Sequence, residues 1–130
     1  MKPFSYNKKE KLKSRTQLEA IFASGKSFSV FPVKVFFLET GASQSEKVKA
    51  GVGVSARHFK KAVQRNRIKR LLREAYRLEK QDLYKQLAAQ QKQLTVFFLY
   101  IDKEMPAFEV VRKKMKDCLA KLQTKLNSAT

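Results

Sequence analysis

Along the chain the spacing of apolar residues changes several times, and each change marks a new element. Leu18, Ile21 and Phe22 recur at helical spacing behind Ser14-Arg15-Thr16-Gln17, a tetrad that fits a capping box. The spacing predicts a short helix, with Gly25 ending it in the left-handed conformation. A first strand is expected around Ser27 to Phe31, before Pro32, and a second over Val33-Lys34-Val35-Phe36-Phe37-Leu38. Gly41 to Glu46 reads as a polar loop. Lys49 to Ser55 predicts a strand with Ala50, Val52 and Val54 on one face and Gly51 and Gly53 on the other. Bare glycines on a strand let a neighbour approach the backbone closely. Ala62 to about Ala89 predicts one long helix, Leu94 to Ile101 a strand, and Pro106 opens a last helix. In that helix Phe108, Val111, Met115, Cys118, Leu119, Leu122 and Leu126 fall within an arc of about 100°.

The order α-β-β-β-α-β-α predicts an α+β fold: one small sheet of about four strands with three helices. The stretch from strand 49–55 through the long helix to strand 94–101 has the makings of a parallel βαβ crossover. Read from the residues alone, it should be right-handed, as about 98% of such units are.

The chain has 130 residues, 43% of them hydrophobic, enough for a single domain over 1–130. Residues 1–13 read as a basic flexible arm and 14–127 as the folded core. No apolar run approaches the roughly 20 residues that span a bilayer, and no secretory pattern follows Met1. A cytoplasmic protein with no membrane partner is expected, with Cys118 a reduced thiol on the apolar stripe of the last helix. One cysteine excludes an internal disulfide and a cysteine-cluster zinc site, and one histidine excludes a two-histidine nuclease.

Charge narrows the function. Lysine and arginine number 29 against 11 aspartates and glutamates, a net charge of +18. Such an excess repels itself unless an anion neutralises it. Residues 57–80 alone hold ten cations, six of them arginines, against Glu74 and Glu79. Arginine offers a planar fork that grips phosphate with two hydrogen bonds, which points to nucleic acid more than to a membrane. With Arg65 as origin, Asn66, Lys69, Arg70, Arg73, Tyr76, Arg77 and Lys80 lie within about 140° on one side of the long helix. Leu71, Leu72, Ile68, Ala75 and Leu78 occupy the opposite arc, and Arg67 sits at the margin. Only Arg70 with Glu74 offers an i,i+4 acidic partner, so the ribbon is expected to stay open to a ligand.

Val52-Gly53-Val54-Ser55, followed by Lys61-Ala62-Val63-Gln64-Arg65-Asn66-Arg67-Ile68-Lys69-Arg70-Leu71-Leu72-Arg73-Glu74, resembles the signature of the bacterial ribonuclease P protein subunit. The likeness extends to Leu12–Lys26 and to the order of elements, nearly the whole chain. It implies a holoenzyme whose RNA subunit removes the 5′ leader of precursor tRNA, with magnesium held mainly by RNA and none bound by the protein alone. It implies no catalytic side chain, no metal ligand and no protein partner. By position, Lys61, Arg65, Asn66, Arg67, Lys69, Arg70 and Arg73 match the RNA-contacting motif, with Arg57 beside it. Leu18 and Phe22 on the first helix, with Phe36 or Phe37 on the strand, match a cleft for the leader; alternation lets only one of the two strand phenylalanines face it. Leu18 stands where many relatives carry an aromatic, and Phe59-Lys60 where many carry a glycine. The resemblance also implies a left-handed crossover.

Two other classes fit parts of the chain. A ribosomal RNA-binding protein would share the basic ribbon. A metal nuclease would need converging carboxylates, for which Asp102, Glu104 and Glu109 are the candidates. His58 reads as a phosphate contact, and Phe22, Phe37 and Tyr100 as candidate stacking platforms for bases.

Overall fold

A computed structural model describes residues 15–40, 48–55, 57–90 and 93–128. The basic arm, Ser14 of the capping box and the whole of the 41–46 loop lie outside them. The elements run α1 (Arg15–Ser24), β1 (Lys26–Val30), β2 (Val33–Thr40), β3 (Val48–Val54), α2 (Ala62–Glu79), α3 (Gln81–Gln90), β4 (Gln93–Tyr100) and α4 (Phe108–Ser128). The four strands form one mixed sheet in the order β1-β2-β4-β3. β1 with β2 and β2 with β4 are antiparallel, while β3 lies parallel to β4, so α2 and α3 form the crossover between two neighbouring strands. The expected α+β architecture holds, with one more helix than predicted.

Strand alternation sorts the sheet into two faces. Val33, Val35 and Phe37 of β2, Leu94, Val96, Phe98 and Tyr100 of β4, and Val48 and Ala50 of β3 are buried. Ile68, Leu72, Ala75 and Tyr76 of α2 join them in one core, with Val111, Met115, Cys118 and Leu122 of α4. Each buried Val, Leu, Ile, Phe or Met side chain among them contributes about 1.5–3 kcal/mol on leaving water. The apolar stripe predicted for α4 is therefore the core stripe. α1 contacts β2 and β4, and through Phe22 it meets the alternate side chains of those strands, on the other face.

Three expectations are corrected. The long helix is broken at Lys80, a one-residue turn after which α3 starts afresh with Asp82 in its first turn, favourably placed for the helix dipole. Beyond it Leu83 and Leu87 join the core, and Gln86 donates to the Gln123 carbonyl of α4 at 3.0 Å. Gly25 does not adopt a left-handed conformation. Its lack of a side chain serves clearance instead: a Cβ there would lie 2.4 Å from the Ile21 carbonyl oxygen and 2.8 Å from that of Phe37, seating α1 against β2. Tyr100 is not exposed for stacking; it is 2% exposed, and its hydroxyl donates to the Glu104 carbonyl at 2.6 Å.

Candidate nucleic-acid interface

The basic ribbon of α2 is real but narrower than the helical wheel predicts. Asn66, Arg67, Arg70 and Arg73 are exposed and Lys69 half-buried. Among the described residues none of Arg67, Lys69, Arg70 and Arg73 has a carboxylate partner. Glu74 does not pair with Arg70. It accepts instead from Arg77, one helical turn on, through Nε at 3.2 Å and also through Nη2. That hydrogen bond holds the Glu74 carboxyl below the ordinary carboxylate range against the opposing effect of burial. Arg77 is thus half-neutralised from within the helix.

Tyr76 and Lys80 leave the ribbon altogether, at 1% and 2% exposure. The Lys80 ammonium lies 4.7 Å from the Tyr84 ring centre and 6.0 Å from that of Tyr76, a cation held against two aromatic faces. Both are amphipathic side chains at the edge of the apolar arc, about 40° and 80° from Leu72, and the Tyr76 ring packs 5.6 Å from that of Phe98 on β4.

At the amino end of α2, Arg57 and His58 are exposed in a turn, and Lys60 and Lys61 are exposed beside them. Lys61 is the N-cap residue, in extended conformation, with no side-chain capping bond and no acidic residue in the first turn that follows. The first amides of the helix therefore stand among four cationic or ionisable side chains. This combination of free N–H groups and positive charge favours an anion. Arg65 is half-buried and turned toward this segment: Nη1 donates to the Phe59 and Lys60 carbonyls at 2.8 and 2.7 Å. Phe59 is 4% exposed with its ring 6.3 Å from that of Tyr100.

The second surface is the sheet face that α1 borders. Phe36 and Phe97 are register partners across β2 and β4, and Phe22 stands edge-on to both, at 5.0 and 5.6 Å between ring centres. Phe22 is 53% exposed. The Lys34 ammonium lies 5.2 Å from the Phe36 ring centre, adding charge to the same face. Of the two strand phenylalanines, Phe36 is half-buried on the face that α1 borders, and Phe37 is 5% exposed in the core against Phe28. Leu18 is half-buried on α1. Sequence reasoning missed Phe97. Its signal was present, since Phe97 alternates with Phe98 and only one of them can join the core.

Among the described residues no three of His, Cys, Asp and Glu converge as metal ligands. No helix among them is long and apolar enough to cross a membrane. Charge, helix amides and an aromatic sheet face thus lie together on a small α+β protein, an arrangement suited to a polyanion that carries stacking bases.

The comparisons with known proteins give the family. The ribonuclease P family profile matches residues 6–123. The ribonuclease P protein component of Porphyromonas gingivalis is 34% identical over 119 residues, covering 92% of this chain and 87% of that one. The fold matches the ribonuclease P protein of Thermotoga maritima with a TM-score of 0.63 at 27% identity, over 86% of this chain and 96% of the other. It also matches that of Staphylococcus aureus with a TM-score of 0.67 at 16% identity, over 87% and 94% of the two chains. The chain belongs to the ribonuclease P protein family.

Proposed function

We propose that this chain binds the catalytic RNA of ribonuclease P through the α2 ribbon and the amino end of that helix, and holds the 5′ leader of precursor tRNA on the aromatic sheet face. The observation that carries this is the row Arg67, Lys69, Arg70 and Arg73, which no carboxylate of the described residues neutralises. Phosphates are the ligand that matches forked cations and helix amides. Phe22, Phe36 and Phe97 suit a single strand, because every base presents a face to stack, whatever its identity.

The protein supplies position and charge neutralisation, and the RNA performs the hydrolysis. Magnesium is held mainly by the RNA, as the family resemblance implies. No residue here is assigned a proton-transfer or nucleophilic role. The setting is cytoplasmic. The test is 5′ processing of a precursor tRNA by a bacterial ribonuclease P RNA at low magnesium. Added protein should stimulate it, and no stimulation rejects the reading.

A further inference from the structure

The first arginine of the signature is turned back on its own chain. Arg65 Nη1 carries two hydrogens, and the Phe59 and Lys60 carbonyls take one each, at 2.8 and 2.7 Å. Those carbonyls belong to the irregular segment between β3 and α2, where no regular ladder satisfies them. Phe59 anchors the segment from below through its burial near Tyr100. The segment is thus held at one residue by an apolar ring and at two adjacent carbonyls by a guanidinium.

Such a clamp has a physical reason to exist. Arg57, Lys60 and Lys61 are exposed around the positive end of the α2 dipole, and the first turn contains no acidic side chain to offset them. Like charges gathered there repel one another and the helix end. Charge-assisted bonds to carbonyls are among the stronger hydrogen bonds, and they oppose that spreading. Lysine keeps the charge but lacks the planar fork that meets two adjacent carbonyls in fixed geometry.

We infer that Arg65 is a positioning residue: it holds residues 59–61 so that Arg57, Lys60 and Lys61 surround the open amino end of α2 and jointly take an RNA phosphate. The binding half of this inference rests on the function proposed above; the clamp itself does not.

The experiment uses the full chain as wild type, Arg65→Lys and Arg65→Ala, first without RNA and then with a bacterial ribonuclease P RNA. Exchange of the two protected amides at the clamp, that of His58 bonded to the Ser55 carbonyl and that of residue 65 bonded to the Lys61 carbonyl, should rise about tenfold in both variants while that of α4 is unchanged, as expected for a local opening. Affinity for the RNA should fall about tenfold in Arg65→Lys despite the retained charge. In a Lys60→Ala/Lys61→Ala background the same substitution should cost less than about twofold, because the groups it positions are gone. Unchanged exchange overturns the clamp. Full recovery by lysine, or losses that add across the two backgrounds, would make Arg65 an ordinary charge contact and overturn the positioning role. If the wild type does not bind the RNA, the proposed function fails, and the exchange result still decides the clamp.

Discussion

The Phe97 ring lies against the bare backbone of Gly53 on the neighbouring strand: a Cβ at Gly53 would come within 2.5 Å of Phe97 Cζ. The far end of the ring can yield, so Gly53→Ala should tilt Phe97 without unfolding the sheet. Binding of a precursor tRNA should weaken several-fold while binding of mature tRNA, which lacks a leader, stays level. Equal effects on both would show that Phe97 does not meet the leader.

Neighbouring phenylalanines should part company on substitution. Phe37→Ala empties a core position and should destabilise the fold by about 3–5 kcal/mol in urea titration. Phe36→Ala should leave the urea midpoint nearly in place and weaken leader binding by about 1–3 kcal/mol, the scale of one lost stacked base. The reverse assignment of losses would place the cleft on the wrong face of the sheet.

Glu74 restrains one arginine, so removing its charge should enlarge the ribbon. Glu74→Gln should steepen the dependence of log affinity on log salt by about 0.7–0.9, one added phosphate contact. Arg70→Ala with Arg73→Ala should flatten it by about that amount for each lost contact. Arg77→Ala in the otherwise unchanged protein should barely alter the slope. A slope that ignores all of these changes would mean the α2 cations do not reach phosphate.

Alkaline pH should find a weak point in the core. Burial, aided by the nearby charge of Asp117, pushes the Cys118 thiol from 9.0 to about 12. Burial, then Asp102 and Glu104, pushes the Tyr100 hydroxyl from 10.0 to about 12. The folded state keeps these protons where the unfolded chain releases them. The stabilisation is therefore complete below pH 9 and declines from there to about pH 12, by up to about 1.4 kcal/mol per pH unit for each group. Urea midpoints from pH 8 to 11 should fall less steeply for Cys118→Ala than for the wild type, whatever the variant loses at pH 8. Parallel declines would remove the thiol from the explanation.

How much of this could be read from the sequence depended on whether a signal was periodic or relational. The four strands, the α4 stripe and the cationic side of α2 follow from alternation and from 3.6-residue spacing, and they stand. The break at Lys80 left no trace in the period: Leu83 and Leu87 lie about 20° and 60° from Leu72, so the apolar phase runs straight through it. Tyr76 and Lys80 were misplaced because a wheel assigns a long amphipathic residue by its angle alone. Here Tyr76 packs on Phe98 of β4 and Lys80 lies over the Tyr84 ring of α3, and both are buried. The choice between Phe36 and Phe37 required knowing which sheet face meets two helices, a fact about pairing that no single strand contains. The partners of Arg65 and Arg77 are likewise relational, since several acceptors lay within reach of each.

Lys80 ends the ribbon early. From Arg67 to Arg73 the helix advances only about 9 Å. A bearing surface that short cannot follow a strand for any distance. Its grip must be combined with that of the helix mouth and of the sheet, which face in different directions. Only a nucleic acid already bent into three dimensions can engage all three at once, so under the proposed function the shape of the partner, rather than its base order, selects it.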